Sequence, residues 1–184
     1  MAKQKHSKDN KETLQNRYQG CPRATFFRRL GAYIYDLFAI AAVLMVAGIV
    51  AILVVILSSK IGLIDLEGYQ DVAAYLAQNT LFALYLALVM VGFYGYFWTK
   101  AGQTLGMKAW RLRVQNSDGS NIRFTQAVIR MATSAFGLGN ILALFSDRNA
   151  FQDLWGECEV VVLSKELSNW KGFKGMGFMD QDKK

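Results

Sequence analysis

Three charged side chains sit where this chain can least solvate them. Arg28 and Arg29 open the run Phe26 to Leu57, FFRRLGAYIYDLFAIAAVLMVAGIVAILVVIL, and Asp36 interrupts it. The run is long enough to cross a bilayer as one helix. A carboxylate inside such a helix costs about 2.5–3.5 kcal/mol near the centre and less near an end. It is therefore expected to bind a cation or proton, or to be neutralised by a fixed partner inside the protein. Helical geometry sets Arg29 and Asp36 on nearly the same face, about 10 Å apart along the axis, and makes Arg29 the first candidate partner.

Other residues with chemical capability are few. Gly102, Thr104 and Gly106 form a GxTxG pattern in GQTLGMKAW. A phosphate loop needs a longer glycine spacing followed by Lys and Ser or Thr, which this segment lacks. Cys21 and Cys158 have no metal-ligand spacing and no CxxC pairing, and can form one disulfide at most. The lone histidine, His6, lies in a polar tail. Without a Ser/His/Asp set, a metal cluster or a nucleotide fingerprint, neither an enzyme nor a bound metal or cofactor is expected.

The elements that would position these residues follow from composition. The chain has 184 residues, 53% hydrophobic, one proline and a net charge of +7. Its apolar residues are gathered into long blocks with basic residues at their flanks. That pattern points to a membrane protein and argues against nucleic acid binding. Residues 1–22 read as a basic, solvated tail. The positive charge preceding the first span, about residues 31–57, predicts a cytoplasmic N-terminus. The loop after it carries Lys60 against Asp65, Glu67 and Asp71, as an external loop would. A second span is expected over about residues 78–98, its helix starting as early as Val72 and ending in an interfacial belt of Phe93, Tyr94, Tyr96, Phe97 and Trp98. Lys100, Lys108, Arg111, Arg113 and Arg123 then mark a return to the cytoplasm.

Arg111 to Gln115 alternates like a short strand, and Asn116-Ser117-Asp118-Gly119 is a turn signal. A small hairpin is expected, with Ile122 to Phe124 beginning its return arm. The third apolar region, 124–145, contains Arg130 and is broken by Gly137, Gly139 and Asn140. It is short for a span, and a re-entrant pair of half-helices is expected; the competitor is one tilted span with Arg130 reaching the inner interface. Cys158 to Leu163 has strand character matching Leu112 to Val114. Pairing of the two would place both on one side and require the third region to turn back. Residues 164–184 read as a loosely ordered tail.

The blocks FRRLGAYIYD, GQTLGMKAWRLRV and FQDLWGECEVVV, in that order and separated by apolar spans, resemble the RDD family of small bacterial membrane proteins. The similarity runs from about Arg23 to Leu163. The resemblance sets the family's arginine at Arg29, its aspartates at Asp36 and Asp153, and its loop motif at Gly102, Thr104 and Gly106. Arg130 matches a basic residue often found before the third apolar region. The chain departs from the family pattern at Gln152, Met107 and Cys158, where His, Lys and Thr are usual.

The expected fold is thus an all-α membrane protein with two transmembrane helices and a re-entrant or third short helical segment. A small cytoplasmic β-hairpin or strand element completes it. The functional residues are expected to be a charge network of Arg29, Asp36 and Asp153, supported by Arg130, Gly102, Thr104 and Gly106. As a multi-pass protein of a bacterial inner membrane, the chain would act as an interaction or assembly module built around that network. The alternative is a transporter coupled to a proton or monovalent cation, with Asp36 as the site; a role in transport is also what the resemblance implies. Either role implies the lipid bilayer and a homo-oligomer or membrane-protein partner.

Overall fold

The computed structural model describes residues 15–134 and 150–169. Its contacts divide the chain into two compact units, Met1–Asp36 with Tyr94–Lys184, and Leu37–Phe93.

The second unit is made by the apolar blocks. Helix α1, Phe26–Lys60, supplies it from Leu37 onward. At 35 residues α1 is about 50 Å long, more than the apolar thickness of a bilayer. A short helix, α2 (Val72–Gln78), begins where the Asp71 carboxylate accepts the Ala74 N–H at 2.7 Å. Asn79 then separates it from α3, Thr80–Tyr96, and its side chain accepts the Leu81 N–H. The second span therefore does not begin at Val72. Within the unit, the Tyr85 hydroxyl donates to the Ala47 carbonyl at 3.4 Å, an approach that the small Ala47 side chain permits. Most large side chains along both helices are exposed and apolar.

The first unit begins before α1. Residues 15–19 are helical, and Tyr18 lies under the Arg113 guanidinium, 4.2 Å from its ring centre. The expected solvated tail thus ends earlier than Pro22: its described part makes specific contacts. At the far end of α3 the helix widens into a π-helical turn, Phe97–Ala101, closed by Gly102 at φ +67°. Helices α1 (Phe26–Lys60) and α3 with its π turn (Thr80–Ala101) are both long and apolar enough to cross a membrane.

Helix α4 (Leu105–Ala109) leads into β1, Leu112–Gln115, and α5 follows at Phe124–Thr133. After the residues left undescribed come α6 (Phe151–Trp155), β2 (Glu159–Val162) and α7 (Lys165–Asn169). The strands pair antiparallel, Leu112 opposite Val162 and Gln115 opposite Glu159. Arg111 and Glu157, both with positive φ, swing the chain out of the preceding helix toward each strand. Arg23 bridges to Val161, so the segment before α1 lies along the other edge of β2.

The expected partnership of Leu112–Val114 with the strand after Cys158 is present; the expected hairpin is not. The turn forms, with the Asn116 and Ser120 backbones bonded, but Ile122 is a buried core residue and Phe124 starts a helix. Gln126 explains the switch: its side-chain carbonyl accepts the Arg123 N–H at 2.8 Å and caps α5. Trp98, expected in an interfacial belt, is also a core residue, clustered with Ala32, Met107, Leu112, Val114 and Ile122. The glycines that led to the re-entrant expectation, Gly137 and Gly139, lie outside the described residues.

Candidate functional site

Two polar clusters lie in the first unit, and each takes one of the aspartates. Asp36 is buried near the start of α1. Thr104, at the N-cap of α4, donates its hydroxyl to Asp36 Oδ2 at 2.5 Å. The Gly106 N–H donates to Oδ1 at 2.8 Å. Thr104 Oγ1 also accepts the Met107 N–H, at 3.3 Å. A hydroxyl can cap the helix with its lone pairs while keeping its one proton for Asp36. A carboxylate at position 104 could do only the first.

Gly106 is required for a different reason. A Cβ there would collide with the Ala32 carbonyl and with Asp36 itself. The α4 backbone thus rests directly on α1, one turn before Asp36. The GxTxG pattern is a docking motif: Gly102 ends the π turn, Thr104 caps α4 and holds the carboxylate, and Gly106 allows the contact.

Asp153 forms the second cluster. It is almost fully buried on α6, and both of its oxygens are ion-paired. Oδ2 faces Arg29 Nη1 at 2.6 Å, and Oδ1 meets Arg130 Nη1. Oδ2 also accepts the Ala150 N–H at 3.3 Å, the start of the helix that carries it. Arg29 Nε donates to the Ala24 carbonyl at 3.1 Å. The Arg130 guanidinium sits 5.3 Å from the Trp98 ring centre and donates to Cys158 Sγ at 3.3 Å. Burial by itself would raise the Asp153 pKa, but the charges of Arg130 and then Arg29 outweigh it and hold the carboxyl below its ordinary value. Burial prevails at Cys158, pushing its thiol up despite Arg130. Cys158 is thus a neutral acceptor rather than a reactive thiolate. Both Cys21 and Cys158 are free thiols.

The expected network of Arg29, Asp36 and Asp153 is therefore divided. Arg29 and Asp153 come together and Arg130 joins them, whereas Asp36 has Thr104 and Gly106. Among the described residues no ion pair links Asp36 to an arginine. Sequence reasoning missed Trp98, Cys158 and Gln126 as supporting groups. Gln126 donates to the Asn116 side chain at 2.9 Å and the Gly156 carbonyl at 3.0 Å, fastening α5 to the turn and to the end of α6. Its place one turn before Arg130 was the available signal. Among the described residues no group of three or more His, Cys, Asp or Glu is arranged to hold a metal.

No curated protein and no solved structure matches the chain. The model of the RDD family matches residues 23–157. That family and the two long apolar helices are consistent with a membrane protein. The match covers most of the chain and holds every charged residue of both clusters, from Arg29 to Asp153: the chain belongs to the RDD family.

Proposed function

We propose that the protein is an interaction or assembly module of a bacterial inner membrane, and that both polar clusters are fixed locks. One observation carries this: all four aspartate oxygens are engaged by groups of the chain itself. Thr104 and Gly106 tie α4 to α1 through Asp36, and Asp153 ties α6 and α5 to the start of α1. A carboxylate so occupied positions a surface for a partner more readily than it exchanges an ion. The partner is a second copy of the chain or another membrane protein.

The basic flanks of both spans support a cytoplasmic N-terminus and a cytoplasmic first unit. Pairing of β1 with β2 supports a third region that turns back instead of crossing. No catalytic step is assigned.

The competing function is cation- or proton-coupled transport at Asp36, which rests on that carboxylate lying inside an apolar helix. Asp36→Asn separates the two. A lock loses a charge-assisted hydrogen bond from Thr104, so membrane level and melting temperature in mild detergent should fall, and co-purifying partners should fall with them. Normal level and stability with loss of proton or sodium flux in vesicles would instead establish transport.

A further inference from the structure

Helices α5 and α6 are amphipathic the wrong way round for a domain surrounded by water. On α5 the arginine and the amide side chain are held inward, Arg130 at 5% exposure bonded to Asp153 and Gln126 spent on Asn116 and Gly156, while the small Thr125 is exposed. Its outward face is Phe124, Val128 and Ile129, with Phe124 54% exposed. The same inversion holds on α6. Gln152 and Asp153 are buried, while Phe151, Leu154 and Trp155 face out, Trp155 at 63%. In water the burial of those charges beneath exposed aromatics would have the hydrophobic effect working against it. In a bilayer it is the expected arrangement.

We infer that the outward faces of α5 and α6 form a shelf seated in the lipid bilayer at the headgroup–acyl boundary. This rests on the chain being a membrane protein. Three features of the first unit identify lipid as the occupant. The start of α1 carries the same exposed apolar character at Phe27, Ile34 and Tyr35, and α1 continues as a candidate span. Arg123, exposed and directly before Phe124, supplies a cation for headgroup phosphates. Trp155 has the amphipathic ring that favours this depth. The Arg29–Asp153–Arg130 cluster then fastens the shelf from its protein side, shielded from both water and lipid.

The test is site-specific photocrosslinking in native membranes, with benzoylphenylalanine placed singly at Phe124, Trp155, Phe38 and Asp118. All four side chains are exposed, so the fold is disturbed little. Phospholipid adducts are expected at Phe124, Trp155 and the α1 position Phe38, and none at the turn residue Asp118. Lipid adducts at Phe38 with none at Phe124 and Trp155 would overturn the shelf and leave the membrane assignment standing; so would adducts there to protein alone. Absence of lipid at Phe38 would remove the membrane assignment and the shelf with it. Val128→Glu gives a second measure: a lipid-facing position should lose membrane level severalfold, whereas an unchanged level refutes the inference.

Discussion

At the scale of single residues, Asp153 is the position on which most depends. Two buried guanidinium groups converge on one carboxylate, and removing it takes that negative charge from both. Breaking a buried pair in this way costs about 3–5 kcal/mol. Asp153→Asn should therefore lower stability by that order, read as the loss of folded protein in a detergent melt. Its pH signature follows from the lowered carboxyl pKa. A group depressed on folding contributes fully above its unfolded value, 3.8, and its contribution disappears as pH falls through the lower folded value. Wild-type and Asp153→Asn proteins should thus differ by a constant amount from pH 5 to 8 and converge only in strong acid. Convergence nearer neutrality would contradict this. Arg29 was legible as a partner for a carboxylate, and of the two aspartates expected beside it the structure gives it Asp153 and not Asp36. Helical spacing fixes its height relative to Asp36, while its pairing depends on where α6 returns, which no local pattern encodes.

Among the elements, α4 shows how five residues can hold a long apolar helix. Its N-cap hydroxyl and its second backbone N–H both end on Asp36. Thr104→Val keeps the shape and removes the donor, which should cost about 1–3 kcal/mol; Thr104→Ser should restore most of it. Gly106→Ala should act by another route, forcing α4 off the Ala32 carbonyl, and a loss of about 1–3 kcal/mol is expected from the overpacking. If Gly106→Ala melts like wild type, the contact is not as close as described. The GxTxG pattern was visible in the sequence, and its phosphate-binding interpretation could be dismissed, but its use could not be deduced. Thr104 needed a carboxylate that is brought to it only by folding. The strand at Leu112–Gln115 was legible because alternation is local. The hairpin expected there does not form, because the turn signal at Asn116–Gly119 says nothing of which strand will pair, and the Gln126 cap commits the next residues to a helix.

For the molecule as a whole, the antiparallel pairing of β1 with β2 constrains topology more than any hydropathy profile. Strands in one sheet lie on one side of a membrane, so a tag inserted between Ser117 and Asp118 and another after Asn169 should show the same sidedness. Protease or impermeant-label accessibility at opposite faces would exclude the described sheet. The apolar spans and their basic flanks were plain from composition, as is usual where long blocks carry the signal. The inverted faces of α5 and α6 were hidden, since a lone arginine beside apolar residues reads equally well as buried or as snorkelling. One consequence belongs to the order in which the chain is made. The segment before α1 bonds to the last strand: the Ala24 N–H reaches the Val160 carbonyl, and the Val162 N–H reaches the Pro22 carbonyl. Arg29 likewise waits for Asp153. During synthesis α1 and α3 are available to insert long before either partner emerges. Insertion and closure are then separate events: a ribosome must deliver almost the whole chain before the first helix acquires its anchor. Until that moment Arg29 lacks the carboxylate that meets it in the folded chain.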